Sequence, residues 1–123
     1  MRYFVLKGPR GRLLVLPPDW RGGRLPEGAL VALLPEGCRP SLRADWVVSY
    51  GLAESSTLTF SSLDPAGPVL SLQREVPTLT GEILDRQELP IGPQPGARPE
   101  EILCTAGALL VAGLPPEKLN ELL

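Results

Sequence analysis

The chain has 123 residues, 43% of them apolar and 21% charged, with no histidine and only two cysteines. That length fits one domain burying somewhat more than ~60% of the surface its unfolded form exposes, so its core needs no metal or disulfide to hold it. The composition argues against disorder, and the missing histidine excludes Ser-His and Cys-His relays and a zinc site of the usual Cys/His kind.

Arg2 to Lys7 and Arg12 to Leu16 are short apolar runs flanking Gly8-Pro9-Arg10-Gly11, whose residues supply turn dihedrals. They predict a β-hairpin. Apolar residues fall on alternate and intervening positions of both runs, so both strands are expected to be covered on two faces or to sit centrally in a sheet. Pro17 to Arg24 breaks regular structure, and Leu25-Pro26-Glu27-Gly28 then recurs as Leu34-Pro35-Glu36-Gly37. Each copy has turn chemistry, with Pro fixing φ and Gly two positions on, and together they bracket Ala29 to Leu34 as a strand. Asp45 or Trp46 to Tyr50 is a further strand, with Trp46 and Tyr50 expected to pack in the core.

Thr57 to Ser61 and Val69 to Gln73 alternate polar and apolar residues around the turn Asp64-Pro65-Ala66-Gly67. This predicts a second hairpin with Leu58, Phe60, Leu70 and Leu72 inward and Thr, Ser and Gln outward on a solvated face. Thr78 to Leu84 reads as one more strand with Gly81 at a bulge or close approach. Residues 85–98, rich in Pro and Gly, read as a loop. Pro99-Glu100-Glu101 starts a helix, because Pro suits the first turn and acids suit the positive end of the dipole. The uncharged run from Ile102 to Pro116 fits either one buried helix ending near Gly113 or a short helix followed by a strand; the good helix formers Ala and Leu favour the continuous helix. Pro115-Pro116-Glu117 starts a last helix with Leu119, Leu122 and Leu123 inward.

The expected fold is therefore a single α+β domain over 1–123: a β-rich part (1–84), a loop (85–98) and a helical part (99–123). Its sheet would be antiparallel or mixed, of about five to seven short strands, with a partly closed barrel as the variant. The scarce Asn and Met, the excess of Arg over Lys and the loop prolines resemble thermophile composition. No apolar run reaches a signal-peptide core or the ~18 residues of a membrane span, so a cytoplasmic protein without membrane contact is expected.

The net charge of −2 conceals a separation. Up to Pro26 the cations Arg2, Lys7, Arg10, Arg12, Arg21 and Arg24 face only Asp19, whereas from Glu54 onward ten acids face four cations. Such a field steers charged partners rather than determining fold. Lys7, Arg10 and Arg12 lie in or beside one turn; Trp20, Arg21 and Arg24 lie in another. These six form the candidate contact set for an anion or nucleic acid, with guanidinium forks on phosphate and Trp20 stacking on a base. They lie on opposite ends of the short strand Arg12 to Leu16, so they meet only if the Pro17-Pro18 turn folds the second group back.

The acidic remainder suits the basic front of a second copy or another protein. No catalytic triad, phosphate loop or metal motif occurs, and no cofactor is expected. Carboxylates such as Glu82 with Asp85, or Cys38 beside Arg39, are the residual enzymatic options. The leading expectation is a non-catalytic interaction or structural module that self-associates. A phosphate or nucleic-acid binder and a histidine-free enzyme are the alternatives.

Overall fold

The computed structural model describes residues 2–123. Its strands are β1 (Phe4–Gly8), β2 (Gly11–Val15), β3 (Ala29–Pro35), β4 (Ala44–Tyr50), β5 (Leu58–Ser62), β6 (Val69–Leu72), β7 (Val76–Pro77), β8 (Ile83–Leu84) and β9 (Gln87–Pro90). Helix α1 (Pro99–Ala112), a 3₁₀ turn (Pro116–Lys118) and the short helix α2 (Leu119–Leu122) follow. Seven strands form one mixed sheet in the order β1-β2-β3-β4-β5-β6-β9, curled into a half-barrel, and β7 and β8 form a separate ribbon. No helix among the described residues is long and apolar enough to cross a membrane.

Both predicted hairpins form. β1 pairs antiparallel with β2 from Phe4↔Val15 to Gly8↔Gly11, and β5 pairs with β6 across the Asp64 turn. There Gly67 N–H donates to the Asp64 carbonyl at 3.0 Å, and Ala66 N–H donates to the Asp64 carboxylate at 3.0 Å, an Asx-stabilised turn. Leu58, Leu70 and Leu72 are buried as expected, but Thr57 and Thr59 are buried too, so the opposite face is less solvated than the alternation implied. The Arg74 guanidinium, which donates to the Thr57 hydroxyl at 3.2 Å, is part of that cover.

Between the hairpins β2, β3, β4 and β5 run parallel, each beside the next, without a crossover helix. Two of the connecting loops instead supply residues that cover one face of the sheet. Leu14, Leu16, Ala32 and Leu34 form a buried outer cluster packed against Trp20, Leu25, Cys38 and Leu42 from those loops. The opposite face of the same strands carries Leu13, Val15, Val31, Leu33, Val48, Tyr50 and Leu58, which pack with Leu103, Ala106 and Leu110 of α1 as the main core. β2 and β3 thus have two buried faces, which is why their sequences show little alternation.

β1 does not. It is an edge strand, and Tyr3, Phe4, Val5 and Leu6 are 38–57% exposed, against the expected two-sided cover. Trp46 also departs from expectation: Tyr50 is fully buried, but Trp46 is 53% exposed. β4 meets β5 only at Tyr50↔Leu58, so the early part of β4 lacks a neighbour on that side.

The second Leu-Pro-Glu-Gly copy ends β3 and turns the chain. Gly37, with φ 78°, follows Glu36 in a turn closed by Cys38 N–H donating to the Pro35 carbonyl at 3.1 Å. Pro35 occupies the first turn position, Glu36 rather than the proline the second, and Gly37 the left-handed third that a type II turn requires. Glu36 then reaches across to the 51–57 connection. Its carboxylate accepts from the amides of Leu52 (2.7 Å) and Ala53 (3.1 Å) and from the Ser56 hydroxyl (3.4 Å). A Cβ at Gly51 would collide with this carboxylate. Removing the side chain in Glu36→Ala is expected to lower the unfolding free energy by about 1–2 kcal/mol, moderated by solvent exposure, with Glu36→Gln recovering part of it. Urea denaturation midpoints measure both.

Thr78 to Leu84 is not one strand but the turn of the β7–β8 ribbon followed by β8, because the Thr78 hydroxyl donates to the Glu82 carbonyl (2.7 Å) and Gly81, at φ 94°, turns the chain. The 85–98 stretch, expected as a loop, contains β9, which pairs with β6 at the second edge of the sheet. Pro90 is tolerated there because an edge strand has an amide position that no neighbour needs.

α1 is the continuous helix. Pro99 opens it, and Gly113 closes it in the left-handed conformation at φ 118°. The amides of Gly113 and Leu114 donate back to the Leu110 and Leu109 carbonyls at 3.1 and 3.0 Å, a Schellman end. At the C-terminus Leu119 is buried, while Leu122 is 60% exposed rather than inward. Asn120 Oδ1 accepts from Gly92 N–H at 2.6 Å, tying α2 to the segment that follows β9.

Candidate interaction surface

The hairpin tip is docked onto the rest of the fold. Arg10 N–H donates to the Leu79 carbonyl (2.9 Å), and Leu79 N–H donates to the Val111 carbonyl (2.8 Å), so residue 79 bridges the tip to the end of α1. A Cβ on Gly8 would lie 2.5 Å from Leu79 Cβ, so the close approach requires glycine. The Arg10 guanidinium lies over Gly81, and Arg12 donates to the Glu27 carbonyl at 2.6 Å. Arg10 also lines an open cleft of about 800 Å³ at the starting ends of β2, β3 and β4, where Arg43, Glu27 and Asp45 join it. Two cations and two carboxylates leave that cleft without a single sign of charge.

The other basic loop lies elsewhere. Trp20, Gly22, Gly23 and Arg24 meet Arg2 and Tyr3 around a hollow of about 410 Å³, beside the start of β1. Arg21 lines a neighbouring hollow that shares Trp20 but also holds Asp19, Arg98 and Glu100. Within one chain, therefore, Trp20 and Arg24 come together, Arg21 lies next to them, Arg10 and Arg12 are held at the tip end, and Lys7 projects from β1. The parallel register explains this separation: β2 carries the chain from the tip to the far end, and the basic loop occurs before the return to β3.

The hollow beside β1 has two cations, two aromatic rings and no carboxylate in its lining. Gly22 and Gly23, at φ 119° and 126°, have open space where side chains would be, leaving their backbone accessible. Among the described residues the one ion pair joins Arg98 and Glu101, so Arg2 and Arg24 have no carboxylate within 4.0 Å. Arg2 and Tyr3 were absent from the sequence-derived set. For Tyr3 the signal was the alternation of β1, which puts Tyr3 and Val5 on the side of the sheet where Trp20 packs.

β1 supplies a second feature. Gly8 and Gly11 face each other across a two-residue turn, so that pair exchanges its hydrogen bonds, and the alternation makes Leu6↔Leu13 and Phe4↔Val15 bonded pairs as well. The N–H and C=O groups of Val5 and Lys7 consequently point away from β2, along the open edge. Phe4 and Leu6 project toward the α1 side and Val5 toward the loop side, all of them exposed.

The other chemical candidates are weaker. Cys38 and Cys104 are free and belong to the packing of opposite sheet faces. Burial pushes the Cys38 thiol up, opposite to the activation expected from its neighbour Arg39. Burial does the same to Cys104, against a smaller opposing effect of the nearby Tyr50 hydroxyl. No cluster of three or more Cys, Asp or Glu suited to a metal ion occurs among the described residues. In comparisons with known proteins the chain matches no family model, no curated protein and no solved structure.

Proposed function

We propose that this chain is a non-catalytic interaction module that associates with a second copy of itself through the edge of β1. The observation that carries this reading is the run Tyr3-Phe4-Val5-Leu6, 38–57% exposed at and just before β1, an edge strand with no neighbour on its outer side among the described residues. Proteins ordinarily blunt such an edge with charge, proline, a bulge or a covering loop, because it is a template for pairing. Here only Lys7 interrupts it.

The strand is complementary to itself. Antiparallel pairing about a two-fold axis joins the outward-facing residues as bonded pairs. Centred on Val5, it puts Val5 opposite Val5, Tyr3 opposite Lys7, and Phe4 opposite Leu6. Phe4 and Leu6 of both copies then form one apolar cluster on the α1 side, and no like charges face each other. Centring on Val5 also uses every outward-facing residue from Tyr3 to Lys7. A strand of this length buries an area in the weak, transient class, below ~1,200 Å², so the dimer is expected to be concentration-dependent.

Sedimentation equilibrium tests this directly. Wild type is expected to move from monomer to dimer with concentration. Val5→Lys and Val5→Glu are each expected to remain monomeric, because like charges meet on the axis, and their equimolar mixture is expected to recover association. Wild type that stays monomeric throughout, or single variants that still associate, would contradict the reading. Circular dichroism checks that the variants keep the fold.

A further inference from the structure

The hollow beside β1 and the open edge of β1 are adjacent, and this has a consequence for the two basic loops. Within one chain they lie at opposite ends of β2. Antiparallel pairing reverses one copy relative to the other, so the tip half of one β1 lies alongside the starting half of its neighbour. In the Val5-centred register, Lys7 of the second copy stands opposite Tyr3, with the backbones about 5.5 Å apart. Tyr3 and Lys7 share the loop side of the sheet, where Trp20 and Arg24 lie.

We propose that the paired edges build two symmetric anion sites, each made of Arg2, Tyr3, Trp20 and Arg24 from one copy and Lys7 from the other. This rests on the self-association proposed above. The ligand class follows from the lining. Guanidinium and ammonium groups suit a phosphate, the accessible amides of Gly22 and Gly23 suit its oxygens, and the Tyr3 and Trp20 rings suit a planar base. A hollow of about 410 Å³ falls in the range of small-ligand pockets. The shared chemistry is a phosphorylated nucleoside, free or as one unit of a single strand. The acid-rich remainder of the chain does not oppose it, because no carboxylate lines this hollow.

Trp20 reports on the site. In a Trp46→Phe background, which removes the other indole, fluorescence is followed while inorganic phosphate, adenosine monophosphate or a short oligothymidylate is added at protein concentrations where the dimer forms. Quenching by the two nucleotide probes but not by phosphate alone is expected. Tighter binding of the oligothymidylate with a steep salt dependence assigns the site to a strand, and equal, salt-insensitive binding assigns it to the free nucleotide.

Arg24→Ala and Lys7→Gln are each expected to weaken binding about tenfold while sedimentation still shows dimers. Val5→Lys is expected to weaken it as much by separating the copies. A dimer that binds neither nucleotide, or one whose affinity is unchanged in Lys7→Gln, overturns the shared site and leaves the self-association standing. Wild type that never dimerises overturns both.

Discussion

Truncating Leu33 to Ala is expected to lower the unfolding free energy by about 2–5 kcal/mol, a large part of the ~5–15 kcal/mol that domains of this kind possess. Leu33 is fully buried in β3, between Val15 and Val48 on neighbouring strands, and α1 crosses it at Gly107. A Cβ at Gly107 would lie 3.0 and 3.1 Å from the two Leu33 δ-carbons and 3.2 Å from Leu58. Glycine is therefore what lets α1 approach the sheet, although it costs about 1 kcal/mol of helix propensity relative to Ala.

A second expectation follows from that contact. Gly107→Ala is expected to destabilise wild type, because the crowding outweighs the propensity gain. In the Leu33→Ala background the δ-carbons are gone, and the same substitution is expected to stabilise. Urea denaturation of the four proteins gives the double-mutant cycle. Additive effects would show that the helix does not rest on Leu33 as described.

Raising the pH is expected to weaken the fold in two stages, with Tyr50 responsible for the steeper one. Tyr50 is fully buried, and its hydroxyl donates to the Leu16 carbonyl at 2.7 Å, locking β4 to the end of β2 across the sheet. Burial chiefly, then the neighbouring Cys104 thiol, holds the phenol well above its ordinary range. Burial likewise raises Cys104. Both groups are held neutral in the folded protein and ionise more readily when it unfolds. Their contribution is complete below the unfolded pKa values, about 8.5 for Cys and about 10 for Tyr, and is lost as pH rises above them.

Each group then contributes a slope of about 1.4 kcal/mol per pH unit. Tyr50→Phe is expected to cost about 1–2 kcal/mol near pH 7 through the lost Leu16 bond. Above about pH 10 its stability should fall less steeply than that of wild type, so the two curves converge. Curves that stay parallel from pH 9 to pH 11.5 would place the phenol in contact with solvent.

Local chemistry made much of this fold legible in the sequence. The alternation around Asp64-Pro65-Ala66-Gly67 located the β5–β6 hairpin, and Pro99 with Gly113 marked both ends of α1, because turns and caps are fixed by a few residues. The rest depended on neighbours. β9 was hidden because Gln87-Glu88-Leu89-Pro90 offers one buried Leu and a proline, which an edge strand accommodates but a sequence pattern reads as loop. β1 and β2 have the same apolar character, and periodicity does not reveal which of two paired strands lies at an edge. The outer cluster under Trp20 and Leu25 arises from irregular loops, which carry no period.

The candidate surface was legible only in part. Clustered charge pointed to Lys7, Arg10, Arg12, Trp20, Arg21 and Arg24, but the docked tip holds Arg10 and Arg12 away from the loop that bears Trp20 and Arg24. Arg2 and Tyr3 join that loop because β1 runs antiparallel to β2, a placement set by sheet register. Composition shows how much charge is present and has no bearing on which end of a strand it reaches.

Amide hydrogen exchange along β1, resolved by residue and measured at low and high protein concentration, tests the self-pairing edge most directly. The amides of Phe4 and Leu6 point toward β2 and are expected to be protected at both concentrations. Those of Val5 and Lys7 point outward and are expected to exchange rapidly in dilute protein and to become protected as concentration rises. Rapid exchange at Val5 and Lys7 at every concentration, with Phe4 and Leu6 protected, would contradict the paired edge and leave β1 a bare strand.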